Sequence, residues 1–195
     1  MDYRPGNRRA LELVGEIVAR VRPDQLGNAT PCAPWTLGEL LEHVVSQNIR
    51  FAAAARGEDP DVACPSDRAD LGGDPGRAFA ESAKLVNEAF AAPELVNRLV
   101  VLPELPAPLP GMVTVGFHLT DTYVHGWDIA VSAGVEFAPP GDLTAAVLDR
   151  AAKIPDAARA EGGPFGPVVS TDPGTGDVDK VLALTGRVPD WSPTD

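Results

Sequence analysis

The segment from Met112 to Ser132 constrains the fold of this chain more than any other. It carries apolar residues on nearly all sides and none of the Lys, Glu or Arg that normally mark a solvent-facing helix surface. One stripe at three- and four-residue spacing is polar or small throughout: Gly111, Thr114, His118, Asp121, His125, Asp128 and Ser132. The segment therefore predicts a helix covered by neighbouring helices, with a polar stripe in the interior.

Apolar periodicity predicts the helices that cover it. They span about 7–21, then 37–56 after the capping box of Thr36 and Glu39, 76–91 after the cap Asp74, and 143–160 after the cap Asp142. The helix of the polar stripe, the fourth along the chain, should end at Gly134. Segments 57–73 and 93–111, rich in Gly, Pro and Asp, are predicted loops, the second with room for a short strand at 100–102. Four long helices plus a shorter fifth make the fold class all-α, a helical bundle forming one domain over residues 1–195, with a short C-terminal helical piece around 177–186 in an otherwise irregular tail, 161–195.

Charge and composition exclude several kinds of partner. The net charge of -12 and the pI near 4.6 argue against nucleic acid, because phosphate contacts need clustered Lys and Arg. No apolar run is long enough for a membrane span, and no signal peptide is evident, so we expect a cytoplasmic protein with no membrane partner. Cys32 and Cys64 lie in loop-like sequence without zinc-pair spacing, which predicts reduced, incidental thiols.

The polar stripe admits two interpretations. Asp121 and His125, one helical turn apart, could present an oxygen and a nitrogen to one metal ion. The same residues could instead form a buried hydrogen-bonded network that fixes the bundle. His43, in the middle of the second helix, could complete a site of three protein ligands with an open position. Alternatively, His43 could be solvated and paired with Glu39, which shares its helix face.

Three sequence blocks carry a family resemblance: "TPCAPWTLGELLEHVV", "DTYVHGWDIAVSAG" and "FGPVV" with "LALTGRVPDW". They resemble an actinobacterial family of small metal-binding proteins in the DinB-like superfamily, which includes the mycothiol-dependent maleylpyruvate isomerase N-terminal family. The resemblance covers nearly the whole chain and implies a DinB-like four-helix bundle.

The resemblance also implies a metal centre. On matching positions its ligands are His43, Asp121 and His125, with Asp121 shorter than the Glu of the isomerase. His118 could replace Asp121 as a ligand or act as a catalytic acid or base. Asp128 could orient His125. The expected metal is a divalent ion, Zn foremost, with Ni, Fe or Mn as alternatives.

The activity that the resemblance implies is thiol chemistry. The chain would be a metal-dependent thiol transferase or isomerase that uses a low-molecular-weight thiol, mycothiol foremost, on a small electrophilic substrate. Arg50 is the candidate for binding a carboxylate of the thiol cofactor. A homodimer is a possible assembly, as in other superfamily members. Two alternatives remain open: a non-catalytic metal- or ligand-binding bundle, and a secondary-metabolite enzyme that uses the His/Asp pocket for acid/base chemistry.

Overall fold

The computed structural model describes residues 1–103, 107–159, 165–172 and 174–193. Within them the chain forms seven α-helices and one two-stranded ladder. The helices are α1 (Arg4–Val18), α2 (Leu37–Arg56), α3 (Pro60–Ala63), α4 (Pro75–Ala91), α5 (Gly111–Ala133), α6 (Gly141–Ala151) and α7 (Asp177–Leu184). Strands β1 (Leu99–Val100) and β2 (Leu109–Pro110) pair antiparallel. No helix in these ranges is both long and apolar enough to cross a membrane.

Four helices form the bundle. Each of α1 and α2 packs against both α4 and α5, and α6 with α7 adds a further pair beside α5. The apolar faces predicted from periodicity are buried, including Leu11 and Val14 of α1 and Leu40, Leu41 and Val44 of α2. The predicted fold class, an all-α bundle of four helices with a short additional C-terminal helix, is confirmed.

The helix α5 has the predicted burial. Apolar Val115, Leu119 and Ile129 are fully buried, and so are the polar His118 and Asp128 of the stripe. Gly134, in the left-handed region with φ 66°, ends the helix, because its N–H bonds to the carbonyls of the last turn.

Several predicted boundaries are wrong. The helix expected at 143–160 starts at Gly141 without a side-chain cap and ends at Ala151, because Pro155 lacks the N–H that would continue it. A 3-10 turn, Asp156–Arg159, follows, and residue 160 lies outside the described residues. Asp142, predicted to cap this helix, instead accepts a hydrogen bond from Arg9 at 2.9 Å.

The first helix is displaced toward the N-terminus, and the predicted loops contain short elements. The helix α1 begins at Arg4 with Pro5 in its first turn and ends at Val18 rather than residue 21. Segment 57–73 includes α3, capped by Asp59, and segment 93–111 includes a 3-10 turn and both strands. The strand expected at 100–102 is two residues long and begins at Leu99.

Candidate metal centre

His125 of α5 lies between two carboxylates of its own helix. Its Nε2 is 3.4 Å from Asp121 Oδ1, one turn before it, and its Nδ1 is 3.0 Å from Asp128 Oδ2, one turn after it. Asp128 is fully buried, whereas 23% of the Asp121 side chain is exposed. The helical spacing of the stripe therefore produces an Asp–His–Asp row, with the more accessible carboxylate on the Nε2 side.

His43 reaches this row from α2. Its ring centroid is 5.4 Å from that of His125, and the two rings meet edge to face. The Trp35 ring covers the other side of His43 at 4.5 Å. Nδ1 of His43 is buried and has no hydrogen-bond partner among the described residues. The alternative pairing with Glu39 is not observed, because Glu39 accepts hydrogen bonds from Arg68 and from the Thr36 backbone.

Two residues from distant parts of the chain close the Asp128 side. The Cys32 thiol donates to Asp128 Oδ2 at 3.0 Å, and its sulfur lies 3.8 Å from His125 Nδ1. Arg187, which follows α7, donates from Nη2 to the same Asp128 oxygen at 2.9 Å and contacts Cys32 Sγ at 3.0 Å. Cys32, Asp128 and Arg187 thus form a polar layer behind His125.

The loop that carries Cys32 is anchored to the C-terminus of α5. Gln25 Nε2 donates to the Ala133 carbonyl at 2.7 Å, and Asn28 Nδ2 donates to the Ser132 carbonyl at 2.8 Å. These carbonyls belong to the last turn of the helix, where acceptors lack intrahelical partners. The anchoring places the loop, and with it Cys32, beside the C-terminal half of the polar stripe.

The charges of the cluster shift its pKa values in opposite directions. Burial alone would lower the pKa of His125, but the Asp121 and Asp128 carboxylates outweigh it and raise that pKa well above the ordinary value. Burial would raise the pKa of Asp121, yet the facing His125 lowers it to about 2. For His43, burial and the neighbouring His125 charge lower the pKa to about 4, because they outweigh the opposing effects of the Asp121 and Asp67 carboxylates and of the Asp67 backbone. The metal-free site therefore holds an imidazolium between carboxylates and a neutral imidazole opposite.

Arg187 keeps the Asp128 carboxyl group ionised. Burial would raise the pKa of this carboxyl group, but Arg187 and His125 more than offset the effect and lower it. The same pairing raises the pKa of Arg187 against the opposing effect of burial. Because the carboxylate is charged and accepts at His125 Nδ1, it holds a proton on that nitrogen and leaves Nε2 facing Asp121.

His118 lies in a separate polar cluster one turn before Asp121. Its Nδ1 is 2.7 Å from the Asn7 side-chain oxygen, and its Nε2 is 3.0 Å from that of Asn48. The Asn7 amide nitrogen has no partner among the described residues, so rotating that amide supplies a donor to Nδ1 and leaves a neutral ring. Burial lowers the pKa of His118 to about 4, which agrees with this neutral form.

Arg50 is directed at a different segment. Its Nη1 donates to the Cys64 carbonyl at 2.9 Å, and its Nη2 pairs with Asp61 at 2.8 Å. The guanidinium is buried against the α3 segment, which it ties to α2. The structure thus brings together His43, Asp121 and His125 of the predicted site residues, and places His118 and Arg50 in other contacts.

Two overlapping donor sets could hold a metal ion. Among the described residues, Cys32, His125 and Asp128 have donor atoms that all lie within 4.8 Å of one another, whereas His43, Asp121 and His125 do not meet that distance. Arg187 already contacts both Cys32 and Asp128, so a cation there would have to displace a guanidinium. The second set lies on the Nε2 side of His125 and consists of His43, Asp121 and His125. Its one cationic side chain is the protonated His125. It includes His43 Nδ1, which has no hydrogen-bond partner among the described residues. The residue types fit a divalent metal, because imidazole nitrogens and a carboxylate are its usual ligands, and binding would release the Nε2 proton of His125.

Sequence reasoning missed Cys32 and Arg187. Both lie in blocks that carry the family resemblance, "TPCAPWT" and "LALTGRVPDW". Their place in these blocks was the one feature of the sequence that could have identified them as site candidates. Their separation by 155 residues shows why spacing could not pair them.

Comparisons with known proteins give a consistent result. Residues 8–130 match the model of the mycothiol maleylpyruvate isomerase N-terminal domain. The uncharacterized proteins MT0763 and Rv0738 of Mycobacterium tuberculosis, strains CDC 1551 and H37Rv, are each 34% identical over 134 residues, 69% of this chain and 69% of theirs. The crystal structure of the mycothiol-dependent maleylpyruvate isomerase superposes with a TM-score of 0.69 and 16% identity, covering 96% of this chain and 89% of that one. At this identity the superposition shows a shared fold, and the family match covers more than half of the sequence. The chain belongs to the mycothiol maleylpyruvate isomerase N-terminal domain family.

Proposed function

We propose that the protein is a metal-dependent thiol transferase or isomerase that acts with a low-molecular-weight thiol, mycothiol, on a small electrophilic substrate. The observation that supports the proposal is the buried Nδ1 of His43, which has no hydrogen-bond partner among the described residues, in a ring that packs edge to face against His125. A buried polar atom without a partner costs free energy, and a metal ion supplies what the atom lacks.

We assign the metal ligands as His43, Asp121 and His125. A divalent cation bound there supplies positive charge that lowers the pKa of a thiol and favours its thiolate. The Asp128 carboxylate holds the proton of His125 on Nδ1, so that Nε2 is the nitrogen offered to the site. Arg187 keeps that carboxylate ionised, and Trp35 fixes the ring of His43.

The chemistry open to such a site is addition of a thiol sulfur to an electrophilic carbon. Conjugation ends when the C–S bond has formed and the adjacent carbon has taken up a proton. Isomerisation omits that protonation: the former double bond rotates while the adjacent carbon is still an anion, and the C–S bond breaks to restore the double bond and release the thiolate. Neither route changes the oxidation state of the substrate overall, so no additional redox partner is needed.

His118 has a structural role in this proposal. Both of its ring nitrogens face asparagine side chains, and Phe51 and Phe90 meet its ring edge to face at 4.8 and 5.3 Å. A proton donor or acceptor must reach the substrate within hydrogen-bond distance, and a fully enclosed ring does not. Arg50, held by Asp61 and Cys64, likewise ties α3 to α2 rather than binding the thiol.

Elemental analysis of protein purified without chelator and without a histidine tag tests the metal site. We expect about one equivalent of divalent metal in the parent and little in His43→Ala and His125→Ala. Glu39→Gln, on the same face of α2 one turn from His43, is the matched control and should keep its metal. Circular dichroism establishes that each variant is folded. A folded parent that binds neither Zn nor Ni nor Fe would refute the assignment.

An activity assay tests the chemistry separately. Metal-loaded protein is mixed with mycothiol and maleylpyruvate, the substrate named for the structural relative, and the ultraviolet absorbance of the substrate is followed. We expect thiol-dependent consumption of substrate that is lost in His43→Ala and retained in Glu39→Gln. Metal binding without any thiol-dependent turnover of maleylpyruvate or of a panel of small electrophiles would instead support a non-catalytic metal-binding bundle.

A further inference from the structure

A cavity opens on a face of α5 other than the one that carries the metal centre. Its volume is about 280 Å³, and it lies between α5, the end of α6 and the turn that follows. Val113, Phe117 and Thr120 line it from α5, one residue before the positions of the polar stripe and therefore about 100° around the helix. Ile154, Pro155 and Phe165 supply most of the remaining apolar wall. The cavity thus has walls of its own, separate from His43, Asp121 and His125.

Arg150 is a cation of the cavity lining that pairs with no acid among the described residues. Its Nε is buried and has no hydrogen-bond acceptor in the described part of the chain, and no carboxylate described there pairs with its guanidinium. Lys153 is the other cation of the lining, and its Nζ donates to both carboxylate oxygens of Asp149, at 2.8 and 2.6 Å. The chain has a net charge of -12, yet no described acid pairs with this arginine. A buried N–H without an acceptor costs free energy in the folded state.

The structure holds this guanidinium in place from two sides. It lies over the ring of Tyr3, 5.3 Å from the centroid, in a cation–π arrangement. Gly116 forms the surface behind it, because a Cβ at that position would lie 2.9 Å from Arg150 Nε and 2.9 Å from the Tyr3 ring. The absent side chain of Gly116 therefore lets Arg150 and Tyr3 approach α5 closely, and the cation is positioned rather than free in solvent.

We propose that this cavity binds a small carboxylic acid with an apolar body, its carboxylate on Arg150 and its body between Phe117 and Phe165. The two phenyl rings meet edge to face at 5.7 Å and form an aromatic corner. A guanidinium offers carboxylates paired donors, which matches an acid better than a neutral ligand. The volume is at the small end of ligand sites, which limits the body to about one aromatic ring or a short alkyl chain.

Isothermal titration calorimetry and NMR with benzoate as the probe test this site. We expect benzoate to bind and to shift the ring resonances of Phe117 and Phe165, while benzyl alcohol and acetate bind at least tenfold more weakly. Arg150→Gln should weaken benzoate binding at least tenfold. Lys153→Gln, the matched control, should change it less than threefold, because that amine is already paired with Asp149.

Two further variants keep the test decisive. Ala158→Phe places a ring at the cavity wall and leaves the Arg150 side chain unsubstituted, and it should abolish binding even if Arg150→Gln does not fold. His125→Ala should leave benzoate affinity unchanged, which separates this site from the metal centre and from the proposed activity. The proposal is overturned if benzoate fails to bind at about 20 mM, if benzyl alcohol binds equally well, or if Ala158→Phe retains full affinity.

Discussion

Arg187 is the residue through which the C-terminal segment contacts the proposed metal centre. It donates to both oxygens of the buried Asp128 carboxylate, at 3.3 and 2.9 Å, and that carboxylate in turn accepts from His125. Without the guanidinium, a fully buried carboxylate would lose its strongest neighbour and its pKa would rise. A protonated Asp128 would no longer orient His125. Arg187 is therefore a positioning residue for the ligand.

Substitution of Arg187 should weaken metal binding although Arg187 is no ligand. We expect Arg187→Gln to reduce Zn affinity by about 10- to 100-fold, the range typical for the groups that orient metal ligands. Arg187→Lys should lose less, because it keeps the charge. Competition with a chromogenic chelator measures the affinity, and Arg22→Gln, which breaks only an exposed pair with Asp24, is the control. Unchanged Zn affinity in folded Arg187→Gln would contradict the positioning role.

At the same scale, the sequence predicted part of the site. The three- and four-residue spacing of Asp121, His125 and Asp128 predicted their row because helical periodicity is local. The sequence offered His43 as a third ligand without determining its contact with His125, and the burial of His118 was predicted but its contacts with Asn7 and Asn48 were not. Cys32 and Arg187 meet only through loop anchoring and through the position of α7. Those contacts are tertiary, and residue spacing contains no information about them.

At the scale of elements, the contact between α1 and α5 depends on a glycine. A Cβ at Gly126 would lie 2.4 Å from Cγ2 of Val14, closer than real carbon contacts, so the two helices approach at this point because Gly126 has no side chain. Val14 is fully buried and cannot swing into solvent. Gly126 also directly follows His125, so helix spacing here influences the position of this proposed ligand.

A double-mutant cycle at this contact tests the packing. We expect Gly126→Ala to destabilise the fold by about 1–3 kcal/mol, because overpacking outweighs the better helix propensity of alanine. Val14→Ala leaves a cavity and is destabilising by itself, but it should remove most of the additional cost of Gly126→Ala. Urea unfolding of the four proteins gives the coupling. Additive losses would show that the two side chains do not interfere.

Element boundaries were predictable where a local signal determined them. The capping box of Thr36 and Glu39 gave the start of α2, and Gly134 gave the end of α5. The predicted fifth helix was too long because apolar periodicity continued past Ala151, whereas Pro155 and the preceding turn end the hydrogen-bonded helix. The short helix α3 was missed because four residues contain little more than one turn of periodicity.

At the scale of the whole molecule, buried histidines make stability depend on pH. His118 is neutral in the fold, with a pKa of about 4 against the ordinary 6.5 that it regains on unfolding. Between these values the unfolded chain binds more protons than the folded one, so the free energy of unfolding decreases as the pH is lowered. The charged group that opposes this effect at His118 is Asp121, which favours its protonated form. His43, with a pKa of about 4, contributes in the same direction.

The metal-free protein should therefore lose stability as the pH falls from about 6.5 to about 4, with His118 alone contributing on the order of 3 kcal/mol. Above pH 6.5 the contribution of His118 is fully present and constant. His125 acts with the opposite sign: its raised pKa gives stability that is present below pH 6.5 and is lost as the pH rises through the pKa of the folded state.

Chelated parent protein is unfolded in urea across this range and compared with His118→Gln, so that the titrations of His43 and His125 cancel in the difference. The slope of that difference between pH 4 and 6.5 measures His118, and equal slopes in the two proteins would show that His118 is not held neutral. NMR titration of the His118 ring in the parent gives the same answer without the variant, because a ring that protonates near pH 6.5 cannot be the buried, asparagine-bound imidazole of this fold.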